Sequence, residues 1–208
     1  MEKTVKSAII LAGGNSKRMG QDKTQLKLAG KTIIEIVAGK LSSVFSEVIV
    51  AGKNQEDFSH LPVKFTRDII EKPFRNSLTG VHGGLSRSSS DFNLVVACDM
   101  PFINTGLIDF LARYPVNDYQ AVVPLVKERH QALHAIYSKS CIPHIANHLE
   151  KDVFRIGYFI TCIDTGYIPE KVIEKYDPGF LTFFNINTRE DYFKAVEMVE
   201  KNPELVSY

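Results

Sequence analysis

Residues 7–23 read Ser7-Ala-Ile-Ile-Leu-Ala-Gly-Gly-Asn-Ser-Lys-Arg-Met-Gly-Gln-Asp-Lys23, and this stretch sets the architecture of the chain. It begins with a short apolar run that predicts a buried strand of a parallel sheet. The run ends at Gly13-Gly14, where the missing Cβ atoms let the backbone turn sharply and approach a ligand closely. Three cations follow, Lys17, Arg18 and Lys23. Because backbone N–H groups and cationic side chains converge at such a turn, the stretch predicts a polyphosphate-binding loop.

Neither of the two common phosphate-binding motifs describes this loop. A P-loop requires Lys and then Ser or Thr after its second glycine, whereas Gly20 is followed by Gln21-Asp22. A dinucleotide-binding turn requires Gly-x-Gly-x-x-Gly at the start of a helix, and Gly13-Gly14 has a different spacing. The loop is therefore neither a P-loop nor a dinucleotide-binding turn.

Across its whole length the loop resembles the signature Leu-Ala-Gly-Gly-x-Ser-x-Arg-Met-Gly-x-Asp-Lys of the molybdenum cofactor guanylyltransferases, members of the MobA-like nucleotidyltransferases. Related cytidylyltransferases and sugar-nucleotide pyrophosphorylases usually carry Pro-Lys where this chain has Asp22-Lys23. The resemblance implies a fold like that of the nucleotide-diphospho-sugar transferases. It also implies transfer of GMP from GTP to molybdopterin that carries molybdenum, with release of pyrophosphate and with Mg²⁺ as the cofactor.

The composition predicts one globular domain over residues 1–208. The formal net charge is +1, which gives no overall electrostatic basis for binding nucleic acid or a membrane surface. No apolar run approaches the ~20 residues that a membrane-spanning helix needs, and we expect no signal peptide before the first strand. Cys98, Cys141 and Cys162 are odd in number and widely spaced, which favours reduced thiols and a cytoplasmic location over disulfides or a zinc site.

Strand and helix patterns alternate through the first half of the chain, which predicts a Rossmann-like, mostly parallel sheet in a three-layer α/β/α sandwich. We predict strands at 7–11, 25–28, 47–51, 62–66, 92–98, 120–126, 131–137 and 160–164. We predict helices at 31–44, 78–88, 105–113, 141–150, 153–159 and 188–201. Asn104 or Thr105 is the expected cap of the third of these helices, and Thr188 with Asp191 forms a predicted capping box before the last.

Asp99 is the strongest single candidate for chemistry. It directly follows the apolar run Phe92-Asn-Leu-Val-Val-Ala-Cys98, so it should lie where the carboxyl ends of parallel strands bind ligands. Mg²⁺ prefers one or two carboxylates together with phosphate oxygens and water. Cys98-Asp99-Met-Pro101 resembles the Cys-Asp-x-Pro motif of the family, whose aspartate binds metal and nucleotide. The alternative is that Asp99 caps the helix that follows.

The resemblance also assigns nucleotide contacts to several other residues. Leu11, Ala12 and Gly13 would hold the guanine and ribose side through backbone groups, and Arg18 and Lys23 would bind phosphates and act in catalysis with Asp99. Asp68 resembles the aspartate that contacts guanosine, although an ordinary surface charge is the alternative interpretation. No Ser/His/Asp or Cys/His arrangement is needed, because the acceptor phosphate is already an anionic nucleophile.

Three further segments resemble motifs of the family. Leu78-Thr-Gly-Val81 takes the place of Gly-Pro-Leu-x-Gly near the base, but Asn76-Ser77 stands where Gly-Pro is expected. Gln131-Ala-Leu-His134 resembles a segment that normally contains proline. Asn185-Ile-Asn-Thr188 matches an Asn-x-Asn-Thr box toward the acceptor, so Asn185 and Asn187 could bind the pterin edge. The alternative for this box is a helix cap with one buried amide.

The other candidate residues are expected to have structural rather than catalytic roles. Cys98 is expected to pack, and His82 to be structural or exposed to solvent. His144 and His148 share a helix face without a third ligand nearby. The guanylyltransferase interpretation has two alternatives: a MobA-like enzyme that uses CTP or another phosphorylated acceptor, and a non-catalytic nucleotide-binding module in cofactor delivery. Other cofactor-biosynthesis proteins and molybdoenzymes are the expected protein partners.

Overall fold

A computed structural model describes residues 5–13, 26–70, 72, 76–116 and 118–208. Its strands are β1 (Ser7–Leu11), β2 (Lys27–Leu28), β3 (Lys31–Thr32), β4 (Glu47–Ala51), β5 (Lys64–Thr66), β6 (Phe92–Ala97), β7 (Ala121–Val126), β8 (Arg129–His130), β9 (His134–Ser138) and β10 (Thr165–Ile168). Its helices are α1 (Ile33–Ser42), α2 (Ser77–Arg87), α3 (Thr105–Ala112), α4 (Cys141–Glu150), α5 (Ile156–Phe159), α6 (Glu170–Ile173) and α7 (Arg189–Lys201). Short 3₁₀ turns occupy Glu56–Phe58, Leu181–Phe183 and Pro203–Val206.

An eight-stranded sheet is the centre of the fold, with the order β10-β7-β9-β6-β1-β4-β5 and with β8 paired to β7. β6, β1, β4 and β5 are parallel neighbours, and β10 is parallel to β7. β9 runs antiparallel to both β6 and β7. The sheet is therefore mixed but mostly parallel, which confirms the predicted fold class. β2 and β3 form a separate antiparallel hairpin.

Helices cover both faces of the sheet and enclose two apolar cores. Ala8 and Ile10 of β1 belong to a core shared with α1, α3 and α7. Ile9 and Leu11 belong to a core shared with α2, α4 and α5. Successive side chains of a strand point to opposite faces, so a strand buried on both faces is apolar throughout. This explains why the first strand could be located from the sequence.

A polar cluster lies at the amino ends of the strands and is centred on Glu47, which is 8% exposed. The Glu47 carboxylate accepts hydrogen bonds from Ser7 Oγ at 2.5 Å, from Ser89 N at 2.9 Å and from Ser88 Oγ at 3.1 Å. Lys64 Nζ lies 2.5 Å from Glu47 Oε1. Burial on its own raises the pKa of Glu47, but the bonds from Lys64, Ser7 and Ser89 outweigh it and lower the pKa to about 2.

Helix boundaries that depend on local capping are confirmed. The Asn104 side chain accepts a hydrogen bond from Leu107 N at 3.0 Å and so begins α3. Thr188 and Asp191 form the predicted capping box of α7. Most other predicted elements are present with ends that differ by a few residues, as local hydrogen bonding at strand and helix ends commonly produces.

The segment between α4 and β10 departs from the prediction. Residues 160–164 are not a strand, because Ile160 N bonds back to Ile156 O at 3.1 Å and continues the turn of α5. The strand begins at Thr165, opposite Ala121 of β7. The predicted helix 153–159 is shortened to α5, since Asp152 adopts a φ of +55° that ends α4 in a turn. Among the described residues, no helix combines the length and apolar character needed to cross a bilayer.

Candidate active site

The carboxyl ends of the central strands meet at one edge of the sheet. Cys98 N donates to Leu11 O at 3.2 Å, and Ala12 N donates to Ala51 O at 2.9 Å. These bonds extend the parallel ladders one residue beyond the ends of β6 and β1. Leu11 and Ala12 are buried, whereas Gly13 is exposed. The backbone predicted to hold the nucleotide therefore emerges directly beside the residue that follows β6.

Asp99 lies at this edge as predicted. Cys98 and Met100 on either side of it are buried, while Asp99 itself is partly exposed. The alternative role as a helix cap is wrong, because Asn104 supplies the cap of α3. Asp99 is thus a partly exposed residue at the carboxyl end of a buried strand, where open parallel sheets bind their ligands.

The predicted acceptor segment is anchored to the same loop. Ile186 N donates to the backbone oxygen of Asp99 at 2.9 Å, and the Ile186 side chain is fully buried. Asn185 and Asn187 flank this anchor on either side. Asn185 Nδ2 donates to Phe183 O at 3.1 Å, which steadies the turn before the segment. The structure thus brings Asn185, Asn187 and Asp99 into one neighbourhood.

Asp68 follows β5 at the same edge, next to the start of α2. Thr79 Oγ1 lies 2.8 Å from Asn76 O and 3.2 Å from Asp68 Oδ2, so these two acceptors compete for its single hydroxyl hydrogen. Thr79 is only 1% exposed. Asn76 caps α2, since its side chain accepts from Thr79 N at 3.1 Å and its own N–H reaches Thr79 Oγ1 at 3.4 Å. Asn76 therefore fixes the start of the helix by a reciprocal capping box, at the position where the family motif has the glycine of its Gly-Pro pair.

A glycine allows α2 to pack closely against the turn that carries Asp68. A Cβ atom on Gly83 would lie 2.7 Å from the backbone oxygen of Arg67, the residue before Asp68. That separation is shorter than any ordinary carbon–oxygen contact, so a larger residue would push the helix and the turn apart. The position of Asp68 depends on this close approach.

Several other predicted residues lie elsewhere or outside the described part of the chain. Arg18 and Lys23 fall within residues 14–25, which lie outside the described residues. His134 begins β9, is fully buried, and packs edge-on against the Phe183 ring with centroids 5.3 Å apart. Burial lowers the pKa of His134 to about 3, so its imidazole is neutral at physiological pH.

The remaining histidine and cysteine candidates form no ligand cluster. His148 Nδ1 lies 2.9 Å from His144 O, so this ring is engaged within its own helix. Within the described ranges, no group of three or more His, Cys, Asp or Glu side chains could hold a metal. His82 is buried, and burial lowers its pKa.

Sequence reasoning missed two polar residues that support this edge. Thr79 contacts Asp68, and Lys40 of α1 contacts the loop that follows Asp99. Lys40 could have been found from its position among apolar residues, because Val37 and Leu41 on the same helix are fully buried. A lysine within such an apolar stripe usually has buried acceptors.

Comparison with known proteins places this chain in a family. The model of the MobA-like NTP transferase domain matches residues 8–156. A probable molybdenum cofactor guanylyltransferase from Peptoclostridium acidaminophilum is 36% identical over 196 residues, covering 91% of this chain and 88% of that protein. A protein of the same description from Natranaerobius thermophilus is 33% identical, covering 94% and 97%.

Solved structures agree with this placement. The molybdopterin-guanine dinucleotide biosynthesis protein A of Archaeoglobus fulgidus superposes with a TM-score of 0.82 at 26% identity, covering 94% of this chain and 99% of that one. The resemblance found in the sequence is thereby confirmed. The chain belongs to the family of MobA-like NTP transferases.

Proposed function

We propose that this protein transfers GMP from GTP to the terminal phosphate of molybdopterin that carries molybdenum, forming the guanine dinucleotide cofactor and pyrophosphate. Relatives with 33–36% identity over most of the chain are described as probable molybdenum cofactor guanylyltransferases, which supports this choice of substrates. Asp22-Lys23 favours the same choice over the cytidylyltransferase alternative.

The observation that carries the proposal is the bond of 2.9 Å between Ile186 N and Asp99 O. It joins the segment proposed for the acceptor to the loop proposed for the metal and the nucleotide. A nucleotidyl transfer needs the acceptor phosphate aligned with the α-phosphorus of GTP, and alignment supplies much of the rate acceleration. A backbone hydrogen bond between the acceptor segment and the loop that carries Asp99 would help to keep the two substrates aligned.

The reaction exchanges one phosphoanhydride bond for another. An oxygen of the acceptor phosphate attacks the α-phosphorus of GTP, a new P–O bond forms, and the bond to the β-phosphate breaks as pyrophosphate leaves. We assign Leu11, Ala12 and Gly13 to the nucleoside through their backbone groups, and Asp68 to guanosine. Asn185 and Asn187 are assigned to the acceptor.

Charge neutralisation is the second requirement of the transfer. We assign Arg18 and Lys23 to the triphosphate, because guanidinium and ammonium groups stabilise the charge that develops on phosphoryl oxygens.

The donor set fits Mg²⁺. Asp99 offers a partly exposed carboxylate, and no cluster of three ligating side chains exists among the residues that the structure describes. Mg²⁺ characteristically takes one or two carboxylates and completes its shell with phosphate oxygens and water. When bound with GTP at Asp99, the ion would supply further neutralisation of the phosphate charge.

Three broader assignments complete the proposal. We propose a single nucleotidyltransferase domain over residues 1–208, supported by a sheet whose strands come from residues 7–168 and by α7 packing into the same core. A cytoplasmic location is supported by the free thiols of Cys98, Cys141 and Cys162. Other cofactor-biosynthesis proteins and molybdoenzymes are the proposed partners, since a bound cofactor has to be delivered to an apoenzyme.

A pyrophosphate-release assay with GTP or CTP, with and without molybdenum-loaded molybdopterin, tests the proposed function. We expect release that depends on GTP and on the acceptor. Asp99→Asn should lower kcat by roughly 10²–10³-fold, a range typical for the loss of one charge-stabilising group. Asp91→Asn is a matched control, because Asp91 is an exposed carboxylate at the opposite end of β6.

The outcomes separate the alternatives. Preference for CTP would replace the proposal by the cytidylyltransferase alternative. Tight binding of GTP without turnover in the presence of the acceptor would favour the non-catalytic module. Equal activities of Asp99→Asn and Asp91→Asn would contradict the assignment of Asp99.

A further inference from the structure

Lys40 is a buried cation that contacts the loop after Asp99. Its residue is 4% exposed, and it lies on α1. Its Nζ atom donates to Ile103 O at 2.9 Å, to Pro101 O at 3.4 Å and to Leu205 O at 2.5 Å. An ammonium group has three N–H donors, so three carbonyl acceptors satisfy it.

The burial of this ammonium group has an energetic cost. Transfer of a charge from water into an apolar core is unfavourable unless hydrogen bonds compensate for it. The cost is visible in the pKa of Lys40, which burial lowers to about 8. An apolar residue could fill this place without that cost, but it would leave the carbonyls of the loop without donors.

The two ends of the loop of residues 98–104 are held by bonds that Lys40 does not make. Its first amide, Cys98 N, donates to Leu11 O at 3.2 Å, and its last, Asn104 N, donates to Thr182 Oγ1 at 3.0 Å. Pro101 and Ile103, which Lys40 contacts, lie between these two anchors. Lys40 therefore fixes the middle of the loop, close in sequence to Asp99.

The third acceptor lies in a segment that is itself fastened to α1. Val206, next to Leu205, is 4% exposed. The ring of Tyr208 covers Gly39 and occupies the space that a Cβ atom there would need. Lys31 Nζ lies 4.0 Å from the centroid of the same ring, a cation–π arrangement. The residues that follow Leu205 thus pack against Gly39 and Lys31, beside Lys40.

We propose that Lys40 is a positioning residue, which couples the segment around Leu205 to the loop of residues 98–104 and so holds the Asp99 carboxylate in place for the metal-bound nucleotide. This rests on the proposed function, because it takes Asp99 as the metal-binding carboxylate.

Lys40→Met tests the coupling in two independent ways. In metal-free protein, hydrogen–deuterium exchange of the amides of residues 98–105 should become at least tenfold faster, while exchange in α2 stays the same. In the full reaction, the Mg²⁺ concentration for half-maximal activity should rise about tenfold, with the affinity for GTP in EDTA changed less than twofold. Unchanged loop exchange or an unchanged Mg²⁺ requirement would overturn the role of Lys40.

A matched control separates positioning from general destabilisation. Ser88→Ala removes a buried hydroxyl that donates to Glu47 at 3.1 Å, at the other edge of the sheet. It should lower the melting temperature without changing loop exchange or the Mg²⁺ requirement. If Ser88→Ala produced the same changes as Lys40→Met, the positioning role would be wrong.

A second variant keeps the test decisive if Lys40→Met does not fold. Tyr208→Ala removes a ring that is 56% exposed and loosens the segment around Leu205 without altering Lys40. Exchange of residues 98–105 should rise about threefold, and no rise would overturn the coupling.

Asp99→Asn distinguishes a failure of the metal assignment from a failure of the role proposed for Lys40. If Asp99→Asn leaves the Mg²⁺ requirement unchanged, the assignment of Asp99 to the metal fails. If Asp99→Asn changes the requirement but Lys40→Met does not, only the role of Lys40 fails.

Discussion

Glu47 should make the stability of this protein sensitive to acid. The Glu47 carboxylate is buried among Ser7, Ser88, Ser89 and Lys64, whose donors stabilise its charged form. Glu47→Gln keeps the shape of the side chain and removes the charge. We expect the variant to be less stable than the wild type at neutral pH, and the difference to shrink as the pH falls.

The magnitude follows from the lowered pKa. A fall from 4.5 to about 2 corresponds to about 3 kcal/mol of unfolding free energy at pH 7, since a tenfold change in proton affinity is worth about 1.4 kcal/mol. Lys64 is 49% exposed, so solvent screens its part of the interaction and about 2 kcal/mol is a more realistic expectation. Because the folded-state pKa is the lower one, the stabilisation is complete above about pH 5 and is lost as the pH falls from 4.5 toward 2.

Urea unfolding followed by circular dichroism measures this difference, and it suits a chain without tryptophan. The free energies of wild type and Glu47→Gln should differ by about 2 kcal/mol at pH 7 and by about 1 kcal/mol or less at pH 3. Glu197→Gln is the control, because Glu197 forms an exposed pair with Lys201. A difference between wild type and Glu47→Gln that stays constant from pH 7 to pH 3 would refute the reasoning.

Two further substitutions probe the edge of the sheet near Asp68. Gly83→Ala places a Cβ atom against the Arg67 backbone oxygen and should raise the KM for GTP about tenfold. Gly157→Ala, whose Cβ atom has open space, should leave that KM unchanged, and equal effects of the two would contradict the packing argument. Thr79→Val removes the hydroxyl that lies between Asp68 and the Asn76 cap of α2, and it should weaken GTP binding about tenfold in calorimetry, whereas Thr79→Ser should retain it.

The strands and the site edge could be predicted because their signals are local. Apart from Ser7 and Asn93, β1 and β6 are apolar, since helices cover both faces, and each is followed at once by residues with an obvious chemical character. The capping boxes at Thr188 and the cap at Asn104 are likewise encoded within four residues of sequence. Parallel topology then places Gly13 and Asp99 at the same edge.

Features that depend on distant partners could not be predicted. The apolar run at 160–164 has the composition of a strand, yet its first residue completes the turn of α5 and the register with β7 starts only at Thr165. The periodicity of apolar residues and their secondary-structure propensities cannot distinguish a strand from a buried helical turn over so few residues. The partners of Lys40 are similarly invisible, because they lie 61, 63 and 165 positions away in the chain.

The long separation between Lys40 and Leu205 also has a consequence for biosynthesis. The ribosome makes α1 and the loop of residues 98–104 well before it makes Leu205, 165 positions after Lys40. Until that segment emerges, the buried ammonium lacks one of its three acceptors, so the nascent chain should form its sheet earlier than it orders this loop. Synthesis from the amino end onward would thus keep the loop of residues 98–104 from becoming fully ordered until Leu205 has been made.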